Sequence, residues 1–121
     1  AALGAAIAGK SRKVINIQAD GSGLYLPQAL WSQVRESAPV VTVICSNRRY
    51  RILDVELARA GIDAPGPVAR GMCDLGGIDW LAIAKGFGVS ARSCATEAEL
   101  ADTLAMALAA DGPFLIEAQL T

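Results

Sequence analysis

The chain has 121 residues, the size of one domain, and 53% of them are hydrophobic, enough for a buried core. Phe, Trp and Tyr occur only twice each, so that core must be built mainly from Ala, Val, Ile and Leu. A net charge of −1 argues against a dedicated nucleic-acid or polyanion binder, and the absence of histidine excludes a His-based triad or a His-ligated metal from this chain alone.

Residues 1–8 read as a small-residue helix ended by Gly9, with Lys10, Arg12 and Lys13 as its basic exit. It has the character of a helix already in progress, as expected for a domain truncated at its N-terminal end. Residues 14–18 form a short β-branched strand of the kind buried on both faces. Ser22 is placed to cap the next helix, with Pro27 in its first turn. Leu26, Leu30 and Val34 then give that helix an inward face, and Pro39 marks its end. A second apolar strand covers residues 40–45.

Tyr50, Leu53 and Leu57 continue at helical spacing as far as Ala60, and Gly61 stops them. Residues 62–78 are rich in Gly and Pro and lack periodicity, so they read as a long functional or mobile loop. Asp79 caps a helix carrying Trp80, Ile83 and Ala84, which ends at Gly86 or Gly88. A strand at 89–93 follows. Thr96-Glu97-Ala98-Glu99 is a capping box, and its helix shows Leu100, Leu104 and Leu108 on one stripe. Asp111-Gly112-Pro113 ends it, and residues 114–118 are the last strand. Strands alternating with helices predict a three-layer α/β/α domain around a mostly parallel sheet.

No run reaches the ~18–20 apolar residues of a membrane span. The opening apolar run is too short and lacks the charged flank of a signal peptide. Cys45, Cys73 and Cys94 are an odd number without Cys-x-x-Cys spacing, so they read as reduced thiols in a cytoplasmic protein. Cys45 is expected to be buried and inert, and Cys73 to be exposed in its loop.

The chemistry concentrates at two strand ends. Asp20-Gly21-Ser22 follows the first strand and Asn47 follows the second, where open α/β sheets bind ligands. Magnesium takes oxygen ligands from one or two protein groups plus waters and substrate phosphates. Asp20 offers a charged oxygen, Asn47 a neutral one, and the bend after it a main-chain carbonyl, best placed at Arg49. Gly21 lets a phosphate approach the backbone, and the helix opening near Ser22 presents N–H groups to it. Each piece also has an ordinary reading. Asp-Gly is a common turn, Asp and Ser are common caps, and Asn after a strand is a common turn residue. Arg48, Arg49 and Arg51 fit a solvated face or partner contact better than a substrate-carboxylate site. Tyr50, Leu53 and Leu57 fit either a pocket wall or the core. Trp31 and Trp80 read as core or interface residues. No Gly-x-Gly-x-x-Gly or Walker loop follows the first strand, which disfavours a generic nucleotide-binding domain.

Ala19-Asp20-Gly21-Ser22 followed by Ser46-Asn47 resembles the Gly-Asp-Gly-Ser … Asn-Asn cofactor motif of thiamine diphosphate enzymes. The resemblance extends through residues 29–31, 47–53, 77–89 and 112–117 to the carboxyl-terminal domain of the acetolactate synthase and benzoylformate decarboxylase group. It implies the thiamine diphosphate-binding fold over residues 1–121, as a fragment of a larger multidomain enzyme. It implies Mg2+ held by Asp20, the Asn47 side chain and the Arg49 carbonyl. Gly21 and Ser22 would contact the diphosphate, with Tyr50 and Leu53 bordering cofactor and substrate. Two departures stand out: Ala19 replaces the first Gly, and Ser46 the first Asn.

The resemblance further implies a homodimer or homotetramer in which a pyrimidine-binding domain of a second subunit supplies the activating glutamate. This chain would then hold no catalytic residue of its own and show no substantial turnover in isolation. In the full enzyme a 2-oxo acid would lose carbon dioxide, and the remainder would be protonated or joined to a second carbonyl compound. The competing reading is a non-catalytic cofactor-binding or assembly module that keeps the fold.

Overall fold

The computed structural model describes residues 1–9 and 12–120. Its single sheet has β2 (Val40–Ser46) and β4 (Phe114–Gln119) at the centre. β1 (Val14–Ala19) and β3 (Ser90–Cys94) are the edges. The order is β1-β2-β4-β3 and every pairing is parallel. Central strands of a parallel sheet are covered on both faces and therefore read as continuous apolar runs. Val40, Val41, Val43 and Ile44 of β2 and Leu115 and Ile116 of β4 are accordingly all buried.

Three helices cover one face: α1 (Ala2–Ala8), α3 (Ala29–Arg35) and α6 (Trp80–Gly86). Leu30, Trp80 and Ala84 pack there on Ile44 and Leu115, and Ala6 packs with Ala38 and Val40. α7 (Glu97–Ala109) covers the other face, where Ala107, Leu100 and Leu104 meet Val41, Val43 and Ile116. This is the predicted three-layer α/β/α arrangement. α2 (Asp20–Gly23) is a single turn after β1. α4 (Arg51–Arg59) and α5 (Pro67–Cys73) form a pair after β2, and α4 buries no residue.

The caps predicted for α6 and α7 hold. The Asp79 carboxylate accepts the Ala82 N–H at 2.8 Å, and Thr96 and Glu99 form a complete capping box. Lys13 does not serve α1. Its Nζ donates to the carbonyls of Ala107, Ala110 and Gly112, capping the far end of α7. Lys10 lies outside the described residues.

Several expectations are corrected. β1 is not buried on both faces. α7 covers β2, β3 and β4, which leaves Ile15 47% and Ile17 70% exposed on the open part of that face. Ser22 does not cap a long helix, because its hydroxyl turns back to Gln18 Oε1 (2.8 Å) and the Ala19 carbonyl (2.9 Å). Pro27 sits in a turn ahead of α3, and Leu26 is exposed. Residues 62–78 are not a structureless loop, since α5 lies within them with Pro67 in its first turn. In α7 the fully buried positions are Thr103 and Ala107, while Leu108 is partly exposed. Cys73 is buried and Cys45 only half-buried. Trp80 is a core residue, whereas Trp31 is half-exposed with the Arg35 guanidinium 5.6 Å above its ring.

Candidate functional site

The β1–β2 register sets Ala19 opposite Cys45, so Asp20 and the segment after Ser46 emerge side by side at the carboxyl edge of the sheet. Asp20 is buried, at 2% exposure. Its Oδ1 accepts the Gly21 N–H at 2.8 Å, and its Oδ2 accepts the Arg48 N–H at 2.6 Å. One carboxylate thereby ties the two strand ends together. Asn47 Oδ1 accepts the Arg49 N–H at 3.0 Å, forming an Asx turn. Among the described residues the Arg49 carbonyl accepts no hydrogen bond.

The segment carrying these groups is held from behind. Leu75 N–H donates to the Arg48 carbonyl and Tyr50 N–H to the Cys73 carbonyl, both at 2.8 Å. Together these make an antiparallel bridge between Arg49 and Asp74. The Arg49 guanidinium makes two bonds of 3.1 Å to Asp54 on α4. Cys73 lies next to this pair. Burial, and then the charge and hydrogen bond of Asp54, push its thiol above the ordinary value, while Arg49 pulls it down.

The α2 turn lies between two aromatic rings. A Cβ on Gly21 would overlap the Tyr50 ring, with Cδ1 2.7 Å away. A Cβ on Gly23 would lie 2.8 Å from Trp80 Cη2 and 3.2 Å from Ile44 Cδ1. Glycine is needed at both positions because of close approach.

A cavity of about 310 Å3 opens over this turn. Asp20, Gly21, Ser22, Asn47, Arg49 and Tyr50 all line it, as the sequence reading grouped them. Leu53 does not; it faces a separate apolar groove between α4 and α5, with Leu57, Met72 and Cys73. Tyr25 and Ile52 also line the site and were not anticipated. Tyr25 follows a turn whose length the sequence does not signal, and Ile52 sits one residue before the position that helical spacing favoured. Of the basic group, Arg49 is paired with Asp54, while Arg48 and Arg51 are exposed.

The donors suit a hard cation. Asp20, Asn47 and the Arg49 carbonyl all offer oxygen donors, the kind magnesium takes. Among the described residues no three His, Cys, Asp or Glu side chains converge on a metal position. A cation here must complete its shell from main chain, amide, water and ligand, as magnesium commonly does with phosphates. No helix among the described residues is long and apolar enough to cross a membrane.

Comparison with known proteins agrees with this geometry. The family model described as "Thiamine pyrophosphate enzyme, C-terminal TPP binding domain" matches residues 1–118. A Mycobacterium tuberculosis protein provisionally named an acetolactate synthase large subunit is 45% identical over 120 residues, covering 97% of this chain and 23% of that protein. Benzoylformate decarboxylase of Pseudomonas aeruginosa is 43% identical over 118 residues, covering 97% and 21%. Among solved structures, the thiamine diphosphate-dependent 4-hydroxybenzoylformate decarboxylase of Rhodococcus jostii superposes with a TM-score of 0.89 at 34% identity, covering 99% of this chain and 22% of that one. The benzoylformate decarboxylase of Polynucleobacter necessarius gives 0.85 at 29% identity, with the same coverage. The chain thus spans about a fifth of the length of the relatives it matches. It belongs to the thiamine pyrophosphate (thiamine diphosphate) enzyme family, as the C-terminal cofactor-binding domain of that family.

Proposed function

We propose that this domain holds the diphosphate end of thiamine diphosphate through a magnesium ion, within a larger decarboxylase or carboligase acting on 2-oxo acids. The observation that carries this reading is the buried Asp20 carboxylate, fixed by two main-chain N–H groups beside Asn47 and an Arg49 carbonyl that accepts no hydrogen bond among the described residues. Asp20, the Asn47 side chain and the Arg49 carbonyl would hold the ion. Gly21 and Ser22 would meet the diphosphate, with Tyr50 at the cavity wall. When bound, the cofactor supplies the carbanion chemistry. The residues of this chain bind and orient it. The named decarboxylases among the relatives support a 2-oxo acid as substrate. A pyrimidine-binding domain from a second subunit, a homo-oligomeric cytoplasmic enzyme and lack of turnover by these 121 residues alone belong to the same proposal.

Breaking one partner of a desolvated charge contact costs roughly 3–5 kcal/mol. Asp20→Ala should therefore weaken magnesium-dependent cofactor binding by about a hundredfold or more in the intact protein, read by titration calorimetry. Unchanged affinity would remove Asp20 from the site and with it the proposed metal centre.

A further inference from the structure

We infer that Arg48 is a positioning residue for the metal site and that it acts through its main chain, not its guanidinium. The inference rests on the reading of Asp20, Asn47 and Arg49 as metal ligands. Arg48 lies between the last two in sequence. It adopts φ +57°, a left-handed conformation that a side-chain-bearing residue rarely takes. Its N–H donates to Asp20 Oδ2 at 2.6 Å, and its carbonyl accepts from Leu75 N–H at 2.8 Å. The torsion φ fixes the angle between that amide and the chain that follows. The left-handed turn therefore lets the Arg48 N–H meet Asp20 while the following peptide meets Leu75 through its carbonyl and Asn47 through the Arg49 N–H, with Arg49 lining the same cavity. The residue itself is exposed and lines a different cavity, with Ser93, Glu117 and Gln119. Nothing in the Asp20 cavity requires a guanidinium at this position.

A residue that tolerates φ > 0 should preserve the site, and one that resists it should damage the site without removing any ligand. β-Branched side chains resist it most. The test compares Arg48→Gly, Arg48→Ala, Arg48→Val and Asp20→Ala in the intact protein. Mn2+ affinity is read by electron paramagnetic resonance with thiamine diphosphate present, and melting temperature is read in EDTA. Arg48→Gly and Arg48→Ala should stay within about threefold of the parent, while Arg48→Val should bind Mn2+ about tenfold more weakly, because a β-branched side chain resists this conformation more than Arg or Ala does.

Several results would overturn the inference. One is equal loss in Arg48→Ala and Arg48→Val, which would assign the effect to the guanidinium. Another is a lower melting point in Arg48→Val with unchanged Mn2+ affinity, which would make the turn merely structural. Should Arg48→Val not fold, the Gly and Ala variants still decide. Arg48→Gly must melt above Arg48→Ala, and equal melting contradicts the strained turn. Loss of Mn2+ in Asp20→Ala with none in Arg48→Val defeats the positioning role alone. Retention in Asp20→Ala defeats the metal site, and the inference with it.

Discussion

Asp20 and Gly21 divide the work of the site between charge and space. The carboxylate is buried and bonded to two amides, so its orientation is fixed by the fold itself. Gly21 gives room that the Tyr50 ring now fills. Gly21→Ala must displace that ring or shift the turn, and overpacking of this kind costs roughly 1–3 kcal/mol. Urea denaturation should show the loss, and a Tyr50→Ala background should remove most of it, because the two residues are in contact. Equal destabilisation in both backgrounds would place the clash elsewhere. The meeting of Asp20, Gly21 and Asn47 at one cavity was legible because they follow two apolar strands, which here are parallel neighbours. The strained turn at Arg48 was not, since no residue type marks a left-handed backbone when glycine is absent. Leu53 misled because helical spacing fixes a face but not what that face meets.

At the scale of elements, the strongest local signals held where side chain and backbone satisfy each other within a few residues. The capping box of α7 is one such place. Glu99 accepts the N–H groups of Ala95 (2.7 Å) and Thr96 (3.2 Å), and these bonds hold its carboxyl below the ordinary value of 4.5. A carboxyl lowered in the folded state contributes stability that is present above its unfolded-state value and is lost as pH falls through the folded one. Glu99→Gln should therefore flatten the acid limb of the stability profile below about pH 4.5 and leave its shape at neutral pH unchanged, as followed by thermal denaturation. An identical acid limb in the variant would mean the box contributes nothing through charge. α5 escaped the sequence reading for the opposite reason. It is short, contains Gly71 and buries only Cys73, so no apolar stripe announces it. β1 was misjudged because its β-branched run matches that of a central strand, and only the reach of α7 decides that one face stays open.

Across the whole molecule, the parallel direction of the strands followed from the alternation of elements, but their order in the sheet and the extent of burial did not. Ile15, Ile17, Tyr25 and Leu26 are exposed, and Gln33 Oε1 and Trp80 Nε1 are buried without a hydrogen-bond partner among the described residues. Ile17→Lys should leave the stability of the 121-residue chain within about 0.5 kcal/mol and reduce its self-association in sedimentation, since Ile17 buries little here. A large loss of stability would show that Ile17 already belongs to a core.

The central claim is that the oxygen cluster at the ends of β1 and β2 is a magnesium diphosphate site. A crystal structure of the intact protein with Mg2+ and thiamine diphosphate tests it most directly. The expected result is an ion about 2.0–2.1 Å from an Asp20 carboxylate oxygen, Asn47 Oδ1 and the Arg49 carbonyl, completed by diphosphate and water. A bound diphosphate whose metal leaves Asp20 and Asn47 untouched would contradict the account.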